Sequence, residues 1–479
     1  MSDRRVFRWA TTSARLLIGT AVSIVAVIAV VTAVSVPWPT LVREPLSVPA
    51  TPAPAASVIA CDGALLAIGR NPADAAAITV AAPQSVVVGV GEGPPPAEQR
   101  LETTDVGPGP LAFTAPPIGE RAIDVAAIGA ATASADDLSG FAASACRPPL
   151  LDSWLVGGSG ATGAADLVLL TNPGTVPATV QLTVYGAAGA QTPPGGVDLV
   201  IPPGTQRVVP LAGIALGEET PVVRVSAVGA PIRASLQASI TRTLTPGGVD
   251  QVGPVAQAAT SDVITGITVV RRSAEEGAAG DEGGALDAAA DDVTVLRMLA
   301  PSAAATARVT VTAVGTGEPV REPEEVALEA GKPLELALNA LLAGSYTVAI
   351  DADVPVVAAV RQATGVRAGD DFAWYTPAPE VSVGSLFATP GGPTPSLSVV
   401  NPSGEPVAVA VTAIDGGSPI TLTVPAEGSI AVRLSPRTVY RLEPEAPVHA
   451  GLSFAGDGAL AGVPVWPADI ATPEVVVYP

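Results

Sequence analysis

The chain is short of almost everything that nucleic-acid binding or metal chemistry requires. Among 479 residues there is one His, and aromatic residues make up only 3%. Lys332 is the sole lysine, so Arg supplies the rest of a basic total of 24, against 45 acidic residues and a formal net charge of −21. Phosphate neutralisation needs clustered Lys and Arg, and base stacking needs aromatics, so no nucleic-acid partner is expected. One His excludes His-rich metal sites, and two Cys exclude zinc ribbons and iron–sulfur ligation. No cofactor is expected either.

What remains is small and apolar. Apolar residues make up 48% of the chain, mostly Ala and Val, enough for a core built of small side chains. Gly and Pro number 49 each, which keeps the chain below the roughly 25–30% that marks unstructured sequence. The excess of Arg over Lys, with so much Ala, Val, Gly and Pro, suits a GC-rich genome.

Residues Leu16 to Val36 form 21 consecutive uncharged residues, about 31 Å as a helix. Arg4, Arg5, Arg8 and Arg15 stand before them against Asp3, a net +3 that leaves about −24 of the −21 total on the other side. The positive-inside rule then puts residues 1–15 in the cytoplasm, the membrane helix at 16–36 and everything beyond outside. A cleaved signal peptide is the competing reading, although its apolar region is usually about 7–15 residues and ends in a small-residue site missing here. A lipobox at Val58-Ile59-Ala60-Cys61 is disfavoured by its distance from the apolar run.

Six prolines in residues 37–54 predict an extended stalk. Residues 55–149 read as a β-rich domain bracketed by Cys61 and Cys146, with the Ala-rich stretch Ala122 to Ala145 helical in part. An even cysteine count in an exported segment predicts a Cys61–Cys146 disulfide. The alternative, a nucleophilic Cys, needs a base, and His449 lies far along the chain.

Downstream the sequence repeats itself. Asp166-Leu167-Val168-Leu169-Leu170-Thr171-Asn172-Pro173-Gly174 returns as Val295-Leu296-Arg297-Met298-Leu299-Ala300-Pro301-Ser302, and again as Leu397-Ser398-Val399-Val400-Asn401-Pro402-Ser403-Gly404. Alternating segments follow at 180–186, 309–315 and 409–415. Strand–turn–strand segments at 199–211, 326–338 and 422–434 then read as hairpins. The clearest block is Ala230-Pro231-Ile232-Arg233, Val354-Pro355-Val356-Val357 and Ala446-Pro447-Val448-His449. Nineteen residues past each Pro stand Asp250, Trp374 and Trp466. The predicted fold is mainly β: a transmembrane helix followed by tandem immunoglobulin-like β-sandwich modules at 150–260, 261–378 and 379–479, which with 55–149 make a rod of four β-rich modules.

The order Cys146, Ser153-Trp154-Leu155-Val156-Gly157-Gly158-Ser159-Gly160, LVLLTNPG, VYG, a Pro-Pro-Gly turn and Leu244-Thr245-Pro246-Gly247-Gly248-Val249-Asp250 resembles an uncharacterised actinobacterial family of membrane-anchored exported proteins, a domain of unknown function. The resemblance implies an envelope location and supplies no catalytic residues.

No residue constellation reads as catalytic. His449 sits in a strand with no acid or nucleophile beside it, and Gly157-Gly158-Ser159-Gly160 is not a nucleophile elbow. The acidic run 273–292 does not fit a calcium loop and reads as a disordered, solvated insert. Trp374 and Trp466 are the one candidate ligand platform, set against a core role suggested by their matched places in two repeats. The expected function is a non-enzymatic scaffold anchored in the membrane by residues 16–36, with envelope proteins as partners. The alternative is a module that binds wall polysaccharide.

Overall fold

The structure is a computed structural model and describes residues 3–35, 48–50, 54–119, 121–270, 294–339, 341–468 and 475–477. The acidic run 273–292 and most of the stalk lie outside the described residues.

The apolar run forms part of a helix, Asp3–Ser35, of which Ser13–Ser35 is long and apolar enough to cross a membrane. Inside lipid only internally bonded backbone is tolerated, and a helix meets that need despite its many β-branched residues. Thr20 and Thr32 donate their hydroxyls to the carbonyls of Leu16 and Ile28, so neither is left bare. In the same unit Val48–Ala50 pairs antiparallel with Val475–Val477 near the carboxyl end.

Residues Ala53 to Thr472 form a second unit made of strands. Its three repeats share one β-sandwich strand order. In the first, one sheet runs Asp152–Val156, Val222–Val228, Ala178–Gly186, Leu199–Ile201, and the other Thr245–Val252, Arg233–Arg242, Leu167–Asn172, Thr205–Pro210. In the third, Ser385–Thr389, Thr438–Pro444, Val407–Ala413, Ile420–Val424 face Ala459–Pro464, Val448–Gly456, Pro395–Val400, Ser429–Arg433. The second repeat keeps this order but fuses two strands into one of 20 residues, Gly344–Ala363, which serves both sheets. Period-two patterning sets the faces: Val180, Leu182 and Val184 point into the core, while Thr179, Gln181 and Thr183 point outward.

The Pro block marks the passage between sheets. Ala230-Pro231 and Ala446-Pro447 lie in the links from one sheet to the other, and Val354-Pro355 lies within the fused strand. Proline donates nothing to a ladder, so it suits the point where hydrogen-bond partners change.

Three sequence expectations need correction. The expected hairpins are arches that cross the sandwich. Leu199–Ile201 bonds to Ala178–Gly186, whereas Thr205–Pro210 bonds to Leu167–Asn172. The same division holds for Glu324–Leu328 and Leu334–Ala337, and for Ile420–Val424 and Ser429–Arg433. A strand–turn–strand pattern fixes which faces are apolar but not which neighbour receives the bonds.

Second, Ala122 to Ala145 holds a hairpin rather than helix: Val125–Ser134 pairs with Ser139–Cys146. Its small side chains allow close packing between neighbouring modules, which overrides the helical preference of Ala.

Third, the modules do not form an end-to-end rod. The first repeat's core takes in Leu299, Val357 and Trp374 of the second, and the third repeat's core takes in Ile128 and Phe141 of the amino-terminal segment. That segment also extends a sheet of the first repeat, with Glu102 and Thr103 running parallel to Thr205 and Gln206.

Candidate functional site

The last strand of each repeat (Thr245–Val252, Phe372–Tyr375, Ala459–Pro464) packs with Ser139–Cys146 around a common centre. Glycine permits this approach. A Cβ built on Gly140 or Gly248 would stand 2.5 and 2.7 Å from Oδ1 of Asp371. Asp371 is fully buried and accepts backbone N–H bonds from three other segments: Phe141 at 2.8 Å, Val249 at 3.0 Å and Leu460 at 3.1 Å. Burial raises its pKa to about 7, against the opposing pull of these donors.

The repeat-equivalent positions Asp250, Trp374 and Trp466 diverge in role. The Trp374 N–H on the backbone donates to Asp250 at 2.7 Å, and burial holds the Asp250 carboxyl well above its ordinary range. Trp374 is only 3% exposed and lies under the Arg297 guanidinium, 4.7 Å from the ring centroid. Arg297 in turn donates to the carbonyls of Gly158 and Pro221 at 2.8 and 2.9 Å, tying the second repeat to the first. Trp374 is therefore an inter-module core residue. Trp466 has a different setting: it is half-buried, and the Arg147 guanidinium stands 4.8 Å from its centroid.

Arg147 and Trp466 belong to a small half-open cleft with a cavity volume of about 20 Å³. All four segments contribute to its lining, with Arg147 and Ser144, Arg233 and Gln251, Thr376, and Trp466. Arg233 forms an ion pair with Asp62 at 3.1 Å, the two side chains being 1% and 0% exposed. Arg233 Nη2 reaches both carboxylate oxygens, while Arg233 Nε is buried without a partner. Arg147 donates through Nη2 to the carbonyl of Pro464. Burial and the neighbouring Arg233 charge lower Arg147 to about 9, partly offset by Asp124 and Asp62. Asp124 accepts from the Leu386 N–H at 2.7 Å, and burial lifts it to about 6.

The Cys61–Cys146 disulfide is formed, one residue before Asp62 and one before Arg147. It thus pins both chain ends that feed the cleft. His449 bonds through Nδ1 to the Ala378 carbonyl at 2.7 Å, and burial lowers its pKa. Among the described residues, no group of three or more His, Cys, Asp or Glu is placed to hold a metal ion.

Sequence reasoning singled out Trp466 but missed Arg147, Arg233, Asp62 and Asp371. One signal was available: Arg233 interrupts an apolar block where the other repeats carry Val357 and His449.

Comparison with curated proteins returns no match. Among solved structures, the chain is similar to the chicken CNTN1 FN1-FN3 domains at 10% identity, covering 81% of this chain and all of that one; the TM-score of 0.12 is too low to carry an argument. The model of a family of unknown function (DUF5719) matches residues 102–437. That span takes in the last three strands of the amino-terminal segment, the first two repeats and much of the third, and the chain belongs to this family.

Proposed function

We propose that the chain is a membrane-anchored scaffold of the cell envelope, with residues 1–15 in the cytoplasm and the β unit outside. The observation that carries this reading is the interlocking of the modules. Shared cores and the bonds of Asp371 make one body of segments that a tandem repeat would leave hinged. A rigid body on a single anchor presents fixed faces to partners, at little ordering cost on binding. The apolar helix Ser13–Ser35 and the disulfide support export. The scarcity of Lys beside plentiful Arg supports an actinobacterial source. The shared strand order supports an immunoglobulin-like description of the repeats.

A second reading, a glycopolymer-binding module, is favoured by one feature, the Trp466 ring in the cleft. The two separate in one experiment. Full-length chain in detergent is immobilised and offered solubilised envelope proteins in one channel and purified wall polysaccharide in another. Stoichiometric retention of a specific envelope protein supports the scaffold. Retention of polysaccharide alone overturns it.

A further inference from the structure

We propose that the cleft where the four segments meet binds a small carboxylate-bearing ligand, its carboxylate taken by the guanidiniums of Arg147 and Arg233 beside Trp466. The proposal goes beyond the scaffold reading and does not depend on it.

Three features of the cleft support it. First, two guanidiniums line one half-open cavity, where the Arg233 charge disfavours that of Arg147. An anion between them relieves that repulsion, one carboxylate oxygen meeting Arg233 Nε and the other the Arg147 guanidinium. Second, Arg233 is not used up by its counter-ion. Asp62 engages it through a single nitrogen, Nη2, which also donates to the Ala145 carbonyl, and Nη1 donates to the Ala234 carbonyl, so Nε alone remains buried and unpartnered. A buried donor without a partner is costly, so a ligand oxygen gains more here than at a solvated site. Third, Ser144, Gln251 and Thr376 add polar side chains to the lining, and Trp466 adds an apolar wall for the ligand's body.

Charge selects the class. Asp62 and Asp124 stand near Arg147 and partly offset the positive charge, which disfavours a dianion.

The test uses the full-length chain in detergent micelles at fixed ionic strength. Calorimetric titrations compare sodium acetate, sodium D-glucuronate, N-acetyl-D-alanine, inorganic phosphate and neutral D-glucose. Saturable binding of the carboxylates, with none of D-glucose, is expected. A preference for D-glucuronate identifies an acidic sugar as the source, and a preference for N-acetyl-D-alanine identifies a peptide carboxyl terminus. Both the Arg147→Gln and Gly253→Ala variants should bind about tenfold more weakly. The second guards against misfolding: a Cβ on Gly253 lies 4.0 Å from Arg233 Nη2, an ordinary contact, yet it occupies the cleft. Arg224→Gln, at the separate Arg224–Trp154 contact, should bind as the wild type does. Absence of saturable carboxylate binding by the folded wild type overturns the proposal. So does carboxylate binding unchanged in both cleft variants, or phosphate binding more tightly than every carboxylate.

Discussion

With only 14% charged residues, the chain still places Asp62, Arg233, Asp250, Arg297 and Asp371 inside, each at a junction between segments. Desolvation makes such groups costly unless they are bonded, so their positions specify which surfaces meet. Asp371 shows the consequence for pH. Burial raises it to about 7, as it does Asp166 and Asp262, from an ordinary value of 3.8. Between those values the folded chain holds protons that the unfolded chain has released. Stability is therefore full at the acid end of the window and is lost as pH rises towards 7. The melting temperature should be higher at about pH 5 than at about pH 8, and Asp371→Asn should flatten the dependence. That variant places amide hydrogens where backbone donors converge and should cost about 1–3 kcal/mol at pH 5 in urea unfolding. Its deficit should narrow towards pH 8; a deficit that widens instead would contradict the assignment. Arg233 behaves differently. Arg233→Ala strands the Asp62 charge and should cost roughly 3–5 kcal/mol, whereas the double variant Asp62→Leu/Arg233→Met should recover most of that loss. Equal losses in both would show that the ion pair is not the source.

Among the elements, the disulfide joins residues 85 apart and ties Ser57–Ala60 to the end of Ser139–Cys146. Removing it with Cys61→Ser/Cys146→Ser should lower stability by about 4–5 kcal/mol in the chain-entropy account, read from urea midpoints at equal slope. This pairing was legible from cysteine count and compartment alone. The β class and the repeats were legible too, because alternation such as Val180, Leu182, Val184 encodes a strand directly. Partner choice was not. Leu199 and Val209 read as two arms of a hairpin, yet each bonds across to a different sheet, since hydrogen-bond partners are set by the opposite sheet rather than by the local pattern. The Ala-rich hairpin was hidden by Ala's helical preference. The cleft was hidden for a geometric reason: Arg147, Arg233, Thr376 and Trp466 come from four separate segments. Two of them carried a signal: Arg233 as a charge within an apolar block, and Trp466 through its match to Trp374, a match that concealed two different environments.

On the scale of the whole molecule, the decisive feature is that no repeat keeps its core to itself. Modules strung as beads would melt independently, giving separate transitions and additive effects of mutation. Here Trp374, Val357 and Leu299 of the second repeat complete the core of the first, and Leu460 of the third joins the core of the second. Losing any one module exposes apolar surface on its neighbour, so the free energies are coupled. Scanning calorimetry of the full-length chain should show the β unit melting in a single transition. Trp374→Ala is the sharpest probe, because it removes a large side chain at the junction and Arg297 loses its stacking partner. It should cost about 3–5 kcal/mol and move the entire transition to lower temperature without splitting it. A peak that divides, with one part held at the wild-type temperature, would mean that the repeats fold as separate domains. The interlocked architecture would then be an association of stable units, and the rigid presentation of partners proposed for it would lose its physical basis.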